Sequence, residues 1–193
     1  MKQDKQDRRS QRTRHMVTSA MLELLFERHY DTITIQNILD RAGIGRSTFY
    51  THYFDKEDVL TGIAEQMLET FSEQFSHRNV EQGIIPALEL FQHVQQNYQY
   101  FQAMMRGNAG EVLWEAAQAT LSTSIEQTLT TYGGKTSPSI PWDVTSQYLA
   151  GSFLHLMKWW LKAVMPYSPA QMERIFQQLA LPGVWGTIEH LNN

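Results

Sequence analysis

Apolar residues recur along this chain three and four positions apart, which is the spacing that places them on one face of an α-helix. The first such stretch carries Val17, Met21 and Leu24 on one stripe. No stretch shows the sustained alternation of apolar and polar residues that is typical of a β-strand. The pattern predicts an all-α fold, with a helical hairpin at 34–54 and longer helices at 10–28, 55–75, 84–96, 98–105, 111–132, 142–165 and from 169 to about 182.

The hairpin, TIQNILDRAGIGRSTFYTHYF, is predicted to consist of a short helix, a glycine turn and a second short helix. Thr34 can cap the first helix through its hydroxyl, with Asn37 three residues further on. Gly43 can end that helix because glycine adopts the left-handed conformation at little cost. Two helices joined by a turn of three or four residues form the helix-turn-helix that places its second helix in the DNA major groove. The alternative is an ordinary helical hairpin whose second helix only faces solvent.

The second helix of the hairpin has an apolar face and a polar face. Phe49 and Tyr53 are predicted to pack inward. The polar face is left to solvent or to a ligand, and it carries Arg46, Ser47, Thr48, Tyr50 and His52.

Charge is distributed unevenly along the chain, whose net charge is −4. Residues 1–54 carry nine Lys and Arg against six Asp and Glu, whereas residues 55–193 carry seven against fourteen. A basic end on an acidic body suits a protein that meets a polyanion with one end. The N-terminal cluster strengthens this expectation, although such a cluster can also be a solvated terminus. Its members are Lys2, Lys5, Arg8, Arg9, Arg12 and Arg14.

Composition argues against several other classes of protein. The chain has no cysteine, which fits a reducing cytoplasm and is incompatible with a thiolate zinc site. No signal peptide is recognisable, and the longest apolar run, 148–165, is interrupted by His155, Lys158 and Lys162. There is no glycine-rich phosphate loop and no His-Glu-x-x-His, and the histidines lack metal-like spacing with carboxylates. We therefore expect a cytoplasmic protein that is neither an enzyme nor a membrane protein, without metal or cofactor.

The stretch 34–60 resembles the DNA-binding signature of the TetR/AcrR (tetracycline-repressor) family of bacterial transcriptional regulators. The matching residues are Thr34, Ile38, Ala42-Gly43-Ile44, Ser47-Thr48-Phe49-Tyr50, Tyr53-Phe54, Lys56-Glu57 and Leu60. The resemblance implies that bases and neighbouring phosphates are contacted by Arg46, Ser47, Thr48, Tyr50, Thr51 and His52, and that the phosphate backbone is contacted by Thr34, Gln36 and Lys56. Arg46 has the donors to bind guanine O6 and N7 bidentately, but a phosphate contact alone is also open.

The resemblance also implies a homodimer with two domains in each subunit. It assigns residues 1–54 to a three-helix DNA-binding domain, 55–76 to a connecting helix and 77–193 to a helical domain for effector binding and dimerisation. A small-molecule effector would bind among the aromatic residues of that second domain, although aromatic stripes at helical spacing are more often plain core. The candidate ligand contacts are His93, Tyr98, Tyr100, Phe101, Trp114, His155 and Trp159.

Two apolar helices near 143–165 and 169–181 are the predicted dimer interface. The first carries two adjoining apolar stripes, and a helix that is apolar over most of its surface must be buried on more than one side. We expect a second copy to supply the cover, so that two subunits read a palindromic operator. An activator or co-regulator without a small-molecule effector is the alternative function. The two stripes are Leu149, Phe153, Leu156, Trp160 and Val164, and Ala150, Leu154, Met157 and Leu161.

Overall fold

The computed structural model describes residues 2–69, 84–105, 108–133 and 138–189, and the regular elements in these ranges are all helical. The predicted all-α class is confirmed. A single turn of 3-10 helix, Tyr30–Thr32, lies between the first two α-helices. The α-helices, numbered in chain order, are α1 Lys2–Glu27, α2 Ile35–Ala42, α3 Arg46–Tyr50, α4 Lys56–Glu69, α5 Ala87–Gln96, α6 Tyr98–Met104, α7 Ala109–Gly133, α8 Trp142–Lys162 and α9 Pro169–Glu189.

The first of two compact units comprises Met1–Gln66 and Gln99–Ala116. Its core is built from α1 to α4, where Met21, Ile38, Phe49 and Leu60 are fully buried. Burial of an apolar side chain of this size stabilises the fold by about 1.5–3 kcal/mol. The helix-turn-helix therefore rests on a packed three-helix core with α4 completing it.

The second compact unit comprises Met67–Tyr98 and Ala117–Asn193. Its core centres on Phe91 of α5, whose ring lies 5.2 Å from the rings of both Phe153 and Trp160 of α8. Phe176 of α9 meets Phe153 edge-on at 5.1 Å. The buried indole N–H of Trp160 donates to the carbonyl of Tyr167 at 2.8 Å, so its polar group is satisfied.

The dimer prediction placed the two apolar stripes of α8 against a second copy, and this assignment was wrong for most of their members. Seven of the nine residues are buried against the subunit's own helices, and only Leu156 and Val164 keep exposed surface. The first stripe is covered by α5 and α9 of the same chain, as the aromatic contacts of Phe153 and Trp160 show. All four residues of the second stripe are buried within the subunit as well.

Several helix ends differ from the predicted ones, and three of the differences have a clear physical reason. Helix α1 begins at Lys2 rather than at residue 10, because no glycine or proline interrupts the polar residues ahead of its first apolar side chain. Helix α8 ends at Lys162, three residues before the predicted end, because the backbone turns left-handed at Val164 and Met165. Helix α9 continues through Pro182 to Glu189, and Val184 beyond the proline is buried.

The compact units do not follow the predicted domain limits. Residues 99–116 group with the N-terminal helices, so the predicted domain 77–193 is divided between the two units. Within the first unit, the ring of Tyr100 meets Phe26 of α1 edge-on at 4.6 Å, and Asn108 Nδ2 donates to Asp31 Oδ1 at 3.3 Å. The boundary expected within 76–83 lies outside the described residues. None of the helices in the described ranges is both long and apolar enough to cross a bilayer.

Candidate nucleic-acid interface

The first helix of the helix-turn-helix is capped at both ends as its sequence predicts. Thr34 Oγ1 accepts the N–H of Asn37 at 3.2 Å, and Asn37 Oδ1 accepts the N–H of Thr34 at 3.0 Å. At the other end Gly43 lies in the left-handed region, with φ of 66°. The N–H of Ile44 then donates to the carbonyl of Leu39 at 3.2 Å. This reversal sends the chain into α3 within three residues.

Helix α3 is oriented by its apolar face. Phe49 and Tyr53 are buried, as predicted, and their rings lie 5.7 Å apart. Burial also raises the pKa of the Tyr53 hydroxyl to about 12. With this face fixed in the core, the opposite face must point outward. Exposed side chains there and on the start of α2 are Thr34, Gln36, Arg46, Ser47, Thr48, Tyr50 and Thr51, while His52 and Lys56 are half-buried.

Arg46, the first residue of α3, is held by a side chain from α2. Its Nη2 donates to Gln36 Oε1 at 3.1 Å, and Gln36 Nε2 donates to Asp40 Oδ1 at 2.8 Å. The structure thus brings together two residues that the sequence assigned to different contacts, and it adds Asp40, which the sequence did not single out.

Lys56 closes the turn that leads into α2. Its ammonium donates to the carbonyls of Tyr30 at 3.0 Å and Ile33 at 3.1 Å, and it lies 4.2 Å from the centre of the Tyr30 ring. Two of the three ammonium hydrogens therefore have partners in the protein. The phosphate contact expected of Lys56 stays a prediction, and the observed contacts are structural.

His52 lies at the end of α3 beside the N-terminal part of α1. Its Nδ1 is 3.5 Å from the hydroxyl of Ser10. Burial lowers the pKa of the His52 imidazole below its ordinary value, and the nearby Arg14 guanidinium lowers it further. The imidazole is therefore biased toward its neutral form in the free protein.

Helix α2 is tied to α1 by one arginine. Arg41 Nη2 lies 2.8 Å from both carboxylate oxygens of Glu27, and Nη1 lies 3.1 Å from Glu23 Oε2. The hydrogen bond from Arg41 is the main cause that lowers the pKa of the Glu27 carboxyl. No local spacing in the sequence points to this clamp, because Arg41 lies 14 and 18 positions from its two partners.

The candidate ligand contacts do not share one environment. Phe101 is buried, while His93, Tyr98 and Trp114 are half-buried. Tyr100, His155 and Trp159 are exposed, and two of these rings have aromatic neighbours within their own unit. Tyr100 meets Phe26, and Trp159 stacks on Tyr167 at 6.4 Å. Their role in effector binding stays a prediction.

Comparison with known protein families identifies the class of protein. Residues 17–63 match the model described as bacterial regulatory proteins, tetR family. Residues 78–181, more than half of the chain, match the model described as transcriptional regulator C-terminal region. The chain belongs to the TetR family. It is a transcriptional regulator, and the expectation that it is not an enzyme is confirmed by this membership.

Individual relatives of this TetR regulator agree with the assignment. An uncharacterised HTH-type transcriptional regulator of Bacillus subtilis (strain 168), YxbF, is 43% identical over 61 residues, which is 31% of this chain. The matched segment spans only 16% of that relative's length.

Solved structures extend the likeness to nearly the whole chain. A TetR transcriptional regulator from Streptococcus agalactiae 2603V is 25% identical with a TM-score of 0.62, over 91% of this chain and 97% of that one. Thermus thermophilus FadR, a TetR family repressor in complex with lauroyl-CoA, has a TM-score of 0.57 over 87% of this chain and 93% of that one. At 21% identity, FadR and this TetR regulator share the same fold.

Proposed function

We propose that this TetR regulator is a dimeric repressor that binds a palindromic operator through α3 and is released from it by a small-molecule effector. The observation that carries the proposal is the geometry of α3. Phe49 fixes its apolar face in the core, together with Tyr53 just beyond its end, and its exposed face presents the donors of Arg46, Ser47 and Tyr50. A short helix held in this way and projecting polar groups suits entry into the major groove.

Dimerisation would use the face of α8 that its own chain leaves uncovered. Val144, Tyr148, His155 and Trp159 are exposed at intervals of four, seven and four residues, which is one stripe of a helix. The side chain of Tyr148 is 62% exposed, and that of Leu179 on α9 is 71% exposed. Large apolar side chains in such a stripe favour an interface. Paired copies would separate the two α3 helices by about 34–36 Å or a multiple, to match successive grooves.

The effector is proposed to bind in the body and to change the separation of the two heads through α4. Residues 56–66 of this helix belong to the first compact unit and residues 67–69 to the second, so a shift of α4 would affect both. Coupling of this kind is typically about 1–3 kcal/mol. If operator affinity were unchanged by every compound that binds the body, this part of the proposal would be wrong.

An activator or co-regulator without an effector is the alternative. A thermal-shift screen of small molecules separates the two, because a ligand that binds only the native state raises its melting temperature. We place the protein in the cytoplasm, where an operator is accessible. The absence of cysteine fits this reducing compartment, in which disulfides rarely stabilise proteins.

The DNA-binding role is tested with Arg46→Ala. We expect a loss of about 1–3 kcal/mol in operator binding, with relaxed selectivity at one base pair in each half-site. Arg28→Ala is the matched control, since it removes an exposed arginine of the same unit outside the helix-turn-helix. Uniform weakening on all sequences would instead make Arg46 a phosphate contact. No binding of the unaltered protein to duplex DNA at moderate salt would overturn the proposed function.

A further inference from the structure

A chain of three side chains crosses from α2 to α3 on the exposed surface of the helix-turn-helix. Asp40 Oδ1 accepts from Gln36 Nε2 at 2.8 Å, and Gln36 Oε1 accepts from Arg46 Nη2 at 3.1 Å. An ionised carboxylate can only accept, so it requires the NH₂ group of the Gln36 amide. The amide oxygen is thereby turned toward Arg46, which can only donate. The chemistry of the two ends permits one orientation of the amide.

This orientation matters for Arg46 because, among the described residues, its side chain hydrogen-bonds only to Gln36. It is the first residue of α3, it is exposed, and the preceding residue is Gly45, which has no side chain to support it. A guanidinium carries five N–H donors in a planar fork, and Gln36 engages one of them. The remaining donors include the pairs that bind the O6 and N7 acceptors of guanine. Gln36 thus limits the directions that the free edge of the fork can take.

We propose that Gln36 is a positioning residue for Arg46, kept in orientation by Asp40, and that this relay determines how strictly Arg46 selects its base pair. The inference rests on the proposed function and deepens it. It replaces the backbone contact expected of Gln36 from the sequence with a role in base selection. A residue that merely touches phosphate would add affinity on every sequence alike.

The test begins with a library of duplexes that contain randomised inverted repeats, from which the unaltered dimer selects its preferred operator. Binding is then measured for that operator and for each single base-pair substitution. Arg46→Ala identifies the base pair that Arg46 reads, where discrimination should fall by about tenfold or more. Gln36→Ala should lower discrimination at that same base pair by several-fold. In the Gln36→Ala, Arg46→Ala double variant, the loss should be no larger than in Arg46→Ala alone.

Asp40 provides a matched pair of variants. Asp40→Ala and Asp40→Asn each remove one negative charge from the surface. Through this charge change alone, both variants should strengthen binding by the same factor on every DNA sequence. Only the asparagine retains an oxygen that accepts from Gln36. We therefore expect Asp40→Ala to lose discrimination at the base pair read by Arg46 and Asp40→Asn to keep it. Because all three side chains are exposed, thermal melting should be nearly unchanged in each variant.

Three outcomes would overturn the relay. Uniform weakening by Gln36→Ala, with discrimination intact, would make Gln36 a phosphate contact. A loss of preference at a different base pair would make Gln36 a reader of that pair in its own right. Full discrimination retained in Asp40→Ala would remove Asp40 from the mechanism. In all three cases the unaltered protein still selects an operator, whereas failure to select any sequence would overturn the proposed function itself.

Discussion

At the scale of single residues, Lys56 and Tyr30 make the least expected contact in the DNA-binding unit. The ammonium of Lys56 joins two carbonyls of the turn 30–33 and faces the Tyr30 ring. That turn directly precedes Thr34, which caps α2. One side chain from the start of α4 therefore fixes where α2 begins.

Lys56→Met separates the structural role from a phosphate contact. Hydrogen bonds from a charged donor to partly buried acceptors are typically worth about 1.5–3 kcal/mol, so the free energy of unfolding should fall by about that amount. Lys162→Met, at the exposed end of α8, should change it by less than about 0.5 kcal/mol. Denaturant unfolding monitored by circular dichroism measures both. Unchanged stability in Lys56→Met, with weaker DNA binding, would mean that the lysine serves the phosphate alone.

Tyr30→Phe should stabilise the protein. The Tyr30 hydroxyl is buried and has no hydrogen-bond partner among the described residues, and burial raises the pKa of this group above its ordinary value. Removing this unsatisfied buried hydroxyl should raise the free energy of unfolding by about 1 kcal/mol. Folding then no longer has to strip water from a hydroxyl that gains no hydrogen bond in return. The ring remains in place beneath Lys56. A melting temperature that falls would show that the hydroxyl has a partner in solution.

Two histidines make stability depend on pH. Burial lowers the pKa of both His52 and His93, with Arg14 adding to the effect at His52. Below the ordinary histidine pKa, about 6.5, the unfolded chain binds protons that the folded protein resists. Stability should therefore be greatest above about pH 7 and should decline as the pH falls through about 6.5 toward 5.5, a range above the titration of carboxylates.

The comparison of His93→Gln with His29→Gln checks this dependence. Melting temperatures between pH 5.5 and 7.5 should vary less in His93→Gln than in the unaltered protein. His29 lies at an exposed position, so His29→Gln is the matched control. An equal slope in all three proteins would contradict the assignment to His93.

At the scale of elements, two helix ends use the same backbone reversal with different residues. Helix α2 ends in Gly43 at φ of 66°, whereas α8 ends in Val164 at φ of 60° followed by Met165 at 53°. After α8, the N–H of Met165 donates to the carbonyl of Trp160 at 2.8 Å and that of Val164 to Leu161 at 3.1 Å. This is the Schellman pattern, in which glycine is usual because a Cβ is unfavourable in the left-handed region.

Val164→Gly should relieve that strain. The side chain is 69% exposed, so little apolar contact is lost, and the relief should exceed the entropy that glycine adds to the unfolded chain. We expect the free energy of unfolding to rise by about 0.5–1 kcal/mol, compared at equal protein concentration. The reciprocal change, Gly43→Ala, should lower the free energy of unfolding by about 1 kcal/mol for conformational reasons alone. Apart from its chain neighbours, no described residue has an atom within 4 Å of the added Cβ. A destabilised Val164→Gly would mean that the side chain is covered in solution.

At the scale of the whole molecule, the uncovered stripe of α8 defines the proposed dimer. Tyr148→Arg places a charge in the middle of that stripe and should convert the dimer into monomers of unchanged helical content, because the side chain packs little within its own subunit. Glu126→Arg, an exposed change on α7, should leave the dimer intact. Light scattering after size exclusion measures the mass. A Tyr148→Arg protein that remains dimeric at micromolar concentration would rule out this face as the interface.

Sequence alone predicted the class of fold, the capped α2, the glycine turn and the buried face of α3. These features depend on contacts between residues a few positions apart, such as Thr34 with Asn37 and Gly43 with Leu39, and on helical spacing. The family signature is carried by the same local segment. Such short-range contacts can be predicted from the sequence, because the period of the helix determines which nearby residues contact each other.

The tertiary structure decided which apolar faces are covered and which polar side chains meet. By sequence, both stripes of α8 are equally suited to contact a second copy. The structure shows that the subunit itself buries most of both stripes, and that α5 and α9 pack against Phe153 and Trp160 of the first. Lys56 meets carbonyls more than 20 positions away, and Arg46 meets Gln36 across the turn. The hydrophobic effect is non-directional. An apolar pattern in the sequence therefore shows that a helix face must be covered, but not by what. The residues that cover it depend on how all the helices pack together.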